Sequence, residues 1–341
     1  MSTATIARRA ASAHPLISLD IKALENRDLL SIADLEPSEV ATILELAGLV
    51  KARPADFRTA LNGRQMAMFF EKPSLRTRLT FEAGMAALGG TSIFVDQTAV
   101  PLAARESLSD IAHNLERWVD VVVLRTFEHA TVTGMAEHAT IPVINGLSDI
   151  EHPCQALADF FTLKEKFGDL RALRLAYVGD GNNVAHSLLL TAACLGSRIT
   201  IASPPGYEPK PEIVARALVV AARTGATVEI TNDAAGAVAG ADAVYTDVWA
   251  SMGQERESEQ RRVIFAPYQV NESLMALAAP DAVFMHCLPA HRGEEVAAGV
   301  MDSPQSIVFD QAENRVHVQK AILLLLLGGA GRRFTARSAH A

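Results

Sequence analysis

The sequence LRLAYVGDGNNVAHSLLLTAACL, residues 173–195, combines the two patterns that decide the fold class. Its first part, Leu173–Val178, is a short apolar run that predicts a buried strand, and the strand ends at the turn residues Gly179–Gly181. The following stretch, Val184–Leu195, has the length and apolar content of a buried helix. A strand followed directly by a helix is the repeating unit of a parallel α/β sheet.

The same alternation of strand and helix patterns extends over most of the chain. Further strand-like runs occur at Gln65–Phe70, Ser92–Val95, Asp120–Leu124, Ile141–Asn145, Arg198–Ala202, Thr227–Ile230, Ala243–Thr246 and Ala282–Met285. Uninterrupted apolar runs are typical of strands that are covered on both faces. We therefore predict an α/β protein with two doubly wound parallel-sheet domains and a C-terminal helix that crosses back to the first domain.

These patterns divide the chain into four segments. Residues 1–25 are predicted to be a flexible N-terminal extension, because the segment is short and weakly patterned and lacks the long apolar run of a secretory signal. Its arginines and its acid-free start leave an organelle transit peptide as the alternative. A first domain is predicted over residues 26–160 and a second over residues 161–311, with the charged stretch 164–171 near their junction. Residues 312–330 are predicted to form the helix that packs on the first domain.

Composition argues against several classes of protein. The net charge of -8 gives no global basic field for nucleic acid or for an anionic membrane. The three cysteines, Cys154, Cys194 and Cys287, are widely spaced, which fits a reducing compartment and argues against a multi-cysteine zinc site. The longest apolar run, Ala321–Leu327, is far shorter than the roughly 20 residues that cross a bilayer. We therefore predict a cytoplasmic protein with no nucleic-acid or membrane partner.

The first candidate site motif is SLRTR, residues 74–78, which follows the strand at Gln65–Phe70 and opens a helix. The free N–H groups of a helix N-terminus, two hydroxyls and two guanidinium groups together predict an anion site, and a phosphate site in particular. The alternative is that Ser74 caps the helix and that Arg76 and Arg78 are surface charges. Capping explains only one hydroxyl, so the phosphate interpretation is favoured.

A second motif, HPCQ at residues 152–155, lies between the Ile141–Asn145 strand and the next helix. His152 and Gln155 are three residues apart on a first helical turn, so both can point at one carbonyl ligand. Arg125 ends an apolar strand and is therefore predicted at the same ligand-binding edge of the sheet. A histidine beside proline is also common as a simple turn residue, and that alternative stays open.

A third motif, DVWASMG at residues 247–253, directly follows the Ala243–Thr246 strand. The Asp247 carboxylate can hold an ammonium group, while the Ser251 hydroxyl and loop amides can hold a carboxylate. That combination suits recognition of an α-amino acid. A solvated loop with a glycine turn is the alternative.

The fourth motif, HCLPAHRGEE at residues 286–295, follows the Ala282–Met285 strand. A metal site of His286, Cys287 and His291 lacks further ligands at a recognisable spacing. A nucleophilic Cys287 lacks an evident activating arrangement. The Leu288-Pro289 bond is a candidate cis peptide, which would turn a backbone carbonyl towards the site.

In this order and spacing, the four motifs resemble the aspartate/ornithine carbamoyltransferase family. The similarity extends from about Asn26 to Leu327, and the last two motifs are most similar to the ornithine-specific members. The resemblance implies a carbamoyl-phosphate-binding first domain and an ornithine-binding second domain. It also implies a homotrimer with active sites at subunit interfaces, no metal and no organic cofactor. The implied reaction forms citrulline and phosphate, a step of arginine metabolism.

The resemblance also implies roles for single residues. The implied carbamoyl-phosphate ligands are Ser74, Leu75, Arg76, Thr77, Arg125, His152, Gln155, Cys287, Leu288 and Arg315. The implied ornithine ligands are Asn183, Asp247, Ser251 and Met252. Catalytic roles are implied for Arg76, Arg125, His152, Asp247 and Cys287. The neutral δ-amine would attack the carbamoyl carbon, while the cations stabilise the oxyanion and the departing phosphate.

Two positions depart from the usual ornithine-specific pattern. Leu75 replaces a threonine, which removes one hydroxyl but keeps the backbone N–H. By spacing from Glu106, Pro101 stands where the family carries a glutamine or histidine that reaches the phosphate of the neighbouring subunit. Family members that use an N-acylornithine vary in this loop, so an acylated ornithine or another diamine is the rival acceptor. The motifs at 251–253 and 291–293 match the ornithine pattern, and ornithine is preferred.

Two other classes of protein compete with this interpretation. A nucleotide-binding oxidoreductase is suggested by Gly179–Gly181 between a strand and a helix, but Val184 occupies the place of the third glycine of that fingerprint. A non-catalytic regulatory homologue is the other alternative. The joint presence of Arg76, His152 and Asp247 with Cys287 argues against it.

Overall fold

A computed structural model describes residues 24–97, 102–250 and 257–328 of the chain. The strands in these ranges are β1 (Gln65–Phe70), β2 (Thr91–Asp96), β3 (Val121–Arg125), β4 (Val143–Leu147), β5 (Arg174–Val178), β6 (Arg198–Ala202), β7 (Thr227–Thr231), β8 (Ala243–Thr246) and β9 (Val283–His286). The α-helices are α1 (Pro37–Ala52), α2 (Leu75–Ala87), α3 (Leu108–Trp118), α4 (His129–His138), α5 (Pro153–Phe167), α6 (Asn183–Leu195), α7 (Pro211–Thr224), α8 (Ala234–Val238), α9 (Ser258–Phe265), α10 (Glu272–Met275), α11 (Ala298–Met301) and α12 (Val308–Leu326).

The strands form two parallel sheets, in the orders β2-β1-β3-β4 and β7-β6-β5-β8-β9. The strand order reverses between β1 and β3 in the first sheet and between β5 and β8 in the second. Ligands of open α/β sheets bind at such switch points, beyond the carboxyl ends of the strands. The SLRTR motif follows β1, Arg125 ends β3, and the DVWASMG motif follows β8. The topology therefore places the predicted site residues at the two switch points.

The C-terminal helix joins the two domains. Helix α12 packs against α1, α2 and α5 of the first domain, which confirms the predicted return of the chain. Its apolar end, Ile322–Leu326, is fully buried in the core that both sheets share. In the same core the rings of Tyr177 on β5 and Tyr245 on β8 stack with centroids 5.8 Å apart.

The loop before α5 is fixed by a buried carboxylate. Glu151 accepts hydrogen bonds from the Ser31 hydroxyl, from the Ile32 N–H at 3.2 Å and from the Ser187 hydroxyl of α6 at 2.9 Å. The Ser187 oxygen in turn accepts the N–H of His152 at 2.9 Å. Burial raises the pKa of Glu151 to about 7, although the three donors oppose that rise. These contacts set the position at which His152 enters the site.

Most predicted strands match the observed ones, and their ends shift by one or two residues. The high charge of residues 257–262 by itself favours a solvated surface position. Residues 258–262 instead lie in α9, and Arg261 is buried in an ion pair with Asp180 at 3.0 Å. Its guanidinium also donates to the Trp249 carbonyl at 2.8 Å, so a pairing across the second domain explains the burial. In the described part of the chain, no helix is long and apolar enough to cross a membrane.

We expect Leu324→Ala in α12 to lower the free energy of unfolding by about 2–5 kcal/mol, because Leu324 is buried and its removal leaves a cavity. The matched control is Leu218→Ala on α7, where the side chain is 50% exposed and the expected change is within about 0.5 kcal/mol. Urea denaturation followed by circular dichroism measures both. Equal losses in the two variants would contradict the proposed anchoring of α12.

Candidate active site

The first turn of α2 forms one wall of the site. Ser74 has extended backbone angles, and its hydroxyl oxygen accepts the N–H of Thr77 at 3.2 Å. The capping predicted as an alternative is therefore present. The hydroxyl hydrogen and the first N–H groups of the helix can still bind an anion. Leu75 is 69% exposed, and Arg78 pairs with Glu82 at 3.0 Å.

Three arginines converge beside this turn. Arg125 is buried, and burial together with the charges of Arg315 and Arg76 lowers its pKa to about 9. Arg315 is also buried, and burial lowers its pKa as well. In the part of the chain that the structure describes, the buried Nε atoms of Arg125 and Arg315 have no hydrogen-bond partner. Buried cations without a full set of acceptors indicate a site for an anionic ligand.

His152 lies next to these arginines and is neutral. Burial and the charges of Arg315, Arg125 and Arg76 hold its pKa well below the usual value. Its Nδ1 atom is buried and has no partner among the described residues. A neutral imidazole can donate one hydrogen bond to a carbonyl oxygen without adding a fourth positive charge.

Gln155 and Arg315 are hydrogen-bonded to each other across α5 and α12. The Arg315 guanidinium donates to Oε1 of Gln155 and, at 3.0 Å, to the hydroxyl of Thr77. The structure therefore brings together residues from β3 and from helices α2, α5 and α12. Within the predicted donor set, Arg76, Thr77, Arg125, His152, Gln155 and Arg315 form one cluster.

Asp247 and Cys287 form the opposite wall. The Cys287 thiol donates to Oδ1 of Asp247 at 3.0 Å, and the Val248 N–H donates to the same oxygen at 2.8 Å. Burial and then the Asp247 charge raise the pKa of Cys287 well above its usual value, so the sulfur is a neutral thiol. Arg76 interacts electrostatically with both Cys287 and Asp247, so its guanidinium lies in the neighbourhood of the opposite wall. An ammonium or amine group can be held by the Asp247 carboxylate there.

A residue that the sequence analysis missed contacts Asp247. The Asn182 side chain donates to Oδ2 of Asp247 at 2.8 Å, whereas the predicted ligand Asn183 donates to the Ser148 carbonyl at 2.6 Å. Asn182 also caps α6, since its Oδ1 accepts two N–H groups of the first turn. The sequence contained a signal, because an asparagine before an apolar helical run is a typical N-cap.

The HCLP segment is shaped by backbone hydrogen bonds. The Leu288-Pro289 bond is cis, as the sequence predicts. The Leu288 N–H donates to Nδ1 of His286 at 2.8 Å, and the His286 N–H donates to Gln311 of α12 at 3.0 Å. These contacts hold Cys287 and Leu288 at the end of β9, at the same edge as Asp247.

Three predicted positions lie outside the described residues. They are Pro101, Ser251 and Met252. The described neighbour Leu102 donates its N–H to Glu71 at 3.1 Å, and Trp249 is buried.

Two groups of side chains have the spacing of metal ligands. One consists of Asp247, His286 and Cys287, and the other of His291, Glu294 and Glu295, each with potential ligand atoms within 4.8 Å of one another. In the first group the Cys287 thiol donates a hydrogen bond to Asp247 at 3.0 Å. In the second group Glu294 is paired with Arg262 at 2.7 Å. A hydrogen bond in the first group and an ion pair in the second thus contribute to the close spacing of these side chains.

The turn after β5 does not have the geometry of a dinucleotide-binding loop. A Cβ atom at Gly181 would lie 2.2 Å from the backbone nitrogen of Pro209, so the loop is covered by the chain near Pro209. The N-terminus of α6 is already capped by Asn182. A pyrophosphate needs an open loop at this place, and the crowding at Gly181 therefore argues against the oxidoreductase.

We expect Asp247→Asn to lower the pKa of the Cys287 thiol, because the carboxylate charge that opposes the thiolate is removed. Alkylation by iodoacetamide at pH 8 should then accelerate about three- to fourfold for each pKa unit, since the thiolate fraction rises about tenfold while the nucleophilicity of the thiolate falls about threefold. Mass spectrometry measures the rate, with buried Cys154 as the unreactive reference in the same chain. Asp247→Glu keeps the charge and is the matched control. A rate for Asp247→Asn at or below that of the wild type would contradict the assignment.

Comparisons with known proteins identify the family. Residues 27–165 match the carbamoyl-P binding domain of aspartate/ornithine carbamoyltransferases, and residues 171–326 match their Asp/Orn binding domain. An ornithine carbamoyltransferase of Symbiobacterium thermophilum is 56% identical over 306 residues, which are 89% of this chain and 99% of the relative.

Solved structures give the same result. The ornithine carbamoyltransferase from Pyrococcus furiosus superposes with a TM-score of 0.87 at 49% identity, over 90% of this chain and 99% of the other. A variant of N-acetyl-L-ornithine transcarbamylase gives a TM-score of 0.80 at 32% identity, over 88% and 99% of the two chains. The chain belongs to the aspartate/ornithine carbamoyltransferase family.

Proposed function

We propose that this enzyme transfers the carbamoyl group of carbamoyl phosphate to the side-chain amine of L-ornithine, giving L-citrulline and phosphate in arginine biosynthesis. The main support for the proposal is that an arginine cluster and an Asp247–Cys287 pair lie on opposite walls of one site. A buried arginine cluster suits a phosphorylated donor, and an Asp247–Cys287 pair facing it suits an amine. Relatives named ornithine carbamoyltransferase, about half identical over most of the chain, support the acceptor.

In this proposal the donor binds between α2, β3 and α12. Its phosphate accepts hydrogen bonds from the Ser74 hydroxyl, the Leu75 N–H, Thr77 and the guanidinium groups of Arg76 and Arg125. Its carbamoyl group is held by His152, Gln155, Cys287, the Leu288 carbonyl and Arg315. The convergence of Arg76, Arg125 and Arg315 supports this arrangement, because an anion offsets their mutual repulsion.

The acceptor binds on the opposite wall, through Asn183, Asp247, Ser251 and Met252. The Asp247 carboxylate holds the amine next to the Cys287 thiol. A neutral amine is the nucleophile, since an ammonium group has no lone pair with which to attack. Asn182 keeps Asp247 in place through its hydrogen bond to Oδ2.

Catalysis then follows from position and charge. The amine attacks the carbamoyl carbon, and negative charge develops on the carbonyl oxygen and on the departing phosphate. His152 donates a hydrogen bond as a neutral group, while Arg76 and Arg125 stabilise the developing charge. Holding both substrates in contact removes much of the entropic barrier of a bimolecular reaction.

Three further assignments complete the proposal. Residues 1–25 form an extension that precedes the first domain. Residues 26–160 bind the carbamoyl donor, and residues 161–311 bind the amine acceptor. Residues 312–330 form the helix that returns to the first domain. The enzyme is a homotrimer in the cytoplasm. Exposed Leu75, Leu79 and Ile93 on neighbouring parts of α2 and edge strand β2 support contact with another copy. Sedimentation should give three times the 36.5 kDa of one chain.

A first assay compares acceptors. Purified protein with carbamoyl phosphate should form a ureido product from L-ornithine, and far less from N-acetylornithine, N-succinylornithine, putrescine or aspartate, because residues 251–253 and 291–293 resemble the ornithine-specific pattern. Product from an acylated ornithine or another diamine alone would overturn the acceptor and keep the donor site. Binding of carbamoyl phosphate without product from any acceptor would favour the regulatory homologue.

We expect Arg125→Gln to lower kcat about 10²–10³-fold, because a buried group that stabilises the transition-state charge is lost. Arg117→Gln is the matched control, since the Arg117 side chain is 78% exposed on α3. Steady-state citrulline formation measures both variants. Unchanged kcat in Arg125→Gln would remove Arg125 from the proposed mechanism.

A further inference from the structure

A buried carboxylate connects the donor and acceptor halves of the site. Asp159 lies on α5 one turn after Gln155, and Gln311 lies on α12 one turn before Arg315. Asp159 is completely buried. Its Oδ1 accepts the side-chain amides of Gln155 and Gln311, each at 2.7 Å, and its Oδ2 accepts the Tyr245 hydroxyl at 3.1 Å.

The two hydrogen-bond partners of the Gln155 side-chain amide, Asp159 and Arg315, allow only one orientation of that amide. Burial raises the pKa of Asp159 to about 7, so at pH 8 its carboxylate is largely ionised and only accepts hydrogen bonds. Nε2 of Gln155 faces this carboxylate, and Oε1 faces Arg315, whose guanidinium only donates. A flipped amide would place NH₂ against the guanidinium and oxygen against the carboxylate. Both contacts would then be repulsive, so the network fixes which end of the amide faces the site.

We propose that Asp159 is a positioning residue that makes the enzyme selective for a carbamoyl group, by keeping the Gln155 carbonyl oxygen turned towards the ligand NH₂. This inference rests on the proposed function. The Gln155 oxygen has a second lone pair besides the one that Arg315 uses, and that lone pair can accept an N–H of the carbamoyl group. A donor with methyl in place of NH₂ offers no N–H and gains nothing from this oxygen.

Through Tyr245 and Gln311, Asp159 is also connected to the wall of the site that carries Asp247 and Cys287. Tyr245 lies on β8, which leads to Asp247, and Gln311 accepts the N–H of His286, which precedes Cys287, at 3.0 Å. A change at Asp159 could therefore act through general loosening rather than through Gln155. The test has to separate these two effects.

The two effects can be separated with two ligands that differ only in the group bound to the carbonyl carbon, which is NH₂ in one and CH₃ in the other. Phosphonoacetamide carries NH₂ and 2-oxopropylphosphonate carries CH₃ on otherwise similar skeletons, so the ratio of their Kd values measures recognition of the amide. Calorimetry at pH 8 gives the ratio without an acceptor present. We expect the wild type to favour the amide by about tenfold, the size of one good hydrogen bond.

Asp159→Leu should reduce this preference to near one, while binding of 2-oxopropylphosphonate changes less than threefold. Asp159→Asn should keep most of the preference, because its amide oxygen can still accept from Gln155 while its NH₂ faces the Tyr245 oxygen. Asp159→Met provides the same apolar replacement with a more adaptable side chain if Asp159→Leu does not fold.

A double-mutant cycle tests whether Asp159 acts through Gln155. Gln155→Leu should remove the preference by itself, and adding Asp159→Leu should then have no further effect on the ratio. Equal weakening of both ligands by Asp159→Leu, or an additive effect in the cycle, would overturn the proposal and indicate a structural role. Failure of the wild type to bind either ligand would instead contradict the proposed function.

Discussion

The site depends on one electrostatic constraint, the convergence of three guanidinium groups, of which those of Arg125 and Arg315 are buried and that of Arg76 is half-buried. Each guanidinium loses hydration there, and each repels the other two, which lowers the pKa of Arg125 to about 9. Such an arrangement is stable only because other contacts hold the arginines in place. It also prepares the protein for an anion, since a bound phosphate offsets the repulsion without any movement of the cations.

Helix α12 provides many of the contacts that hold the arginines in place. Its second half is buried in the first domain, so the helix cannot shift without exposing the shared core. Its first half can therefore carry Gln311 and Arg315 at fixed positions, one turn apart and facing α5. Burial of apolar surface at one end of a helix thus stabilises polar groups at the other end, which by themselves would be costly to bury.

The two walls use opposite charges to keep their reactive groups neutral. Positive charge around His152 disfavours its protonation, and negative charge beside Cys287 disfavours loss of its proton. Both residues can therefore donate a hydrogen bond at neutral pH, one from each wall of the site. Formal charge stays on the arginines and on Asp247, where a phosphate and an amine can use it.

The sequence by itself determined the fold class and the edges at which the site forms, because apolar runs bounded by turns specify strands and parallel strands align their carboxyl ends. It also gave the motif residues that the structure brings together, such as Arg76, Arg125 and His152. Only the tertiary structure decided which asparagine contacts Asp247, since consecutive residues at a helix start point in directions about 100° apart. Likewise, Arg315 meets Gln155 and Gln311 meets Asp159 through contacts between α5 and α12, elements about 150 residues apart in the chain, and no local pattern encodes such pairings.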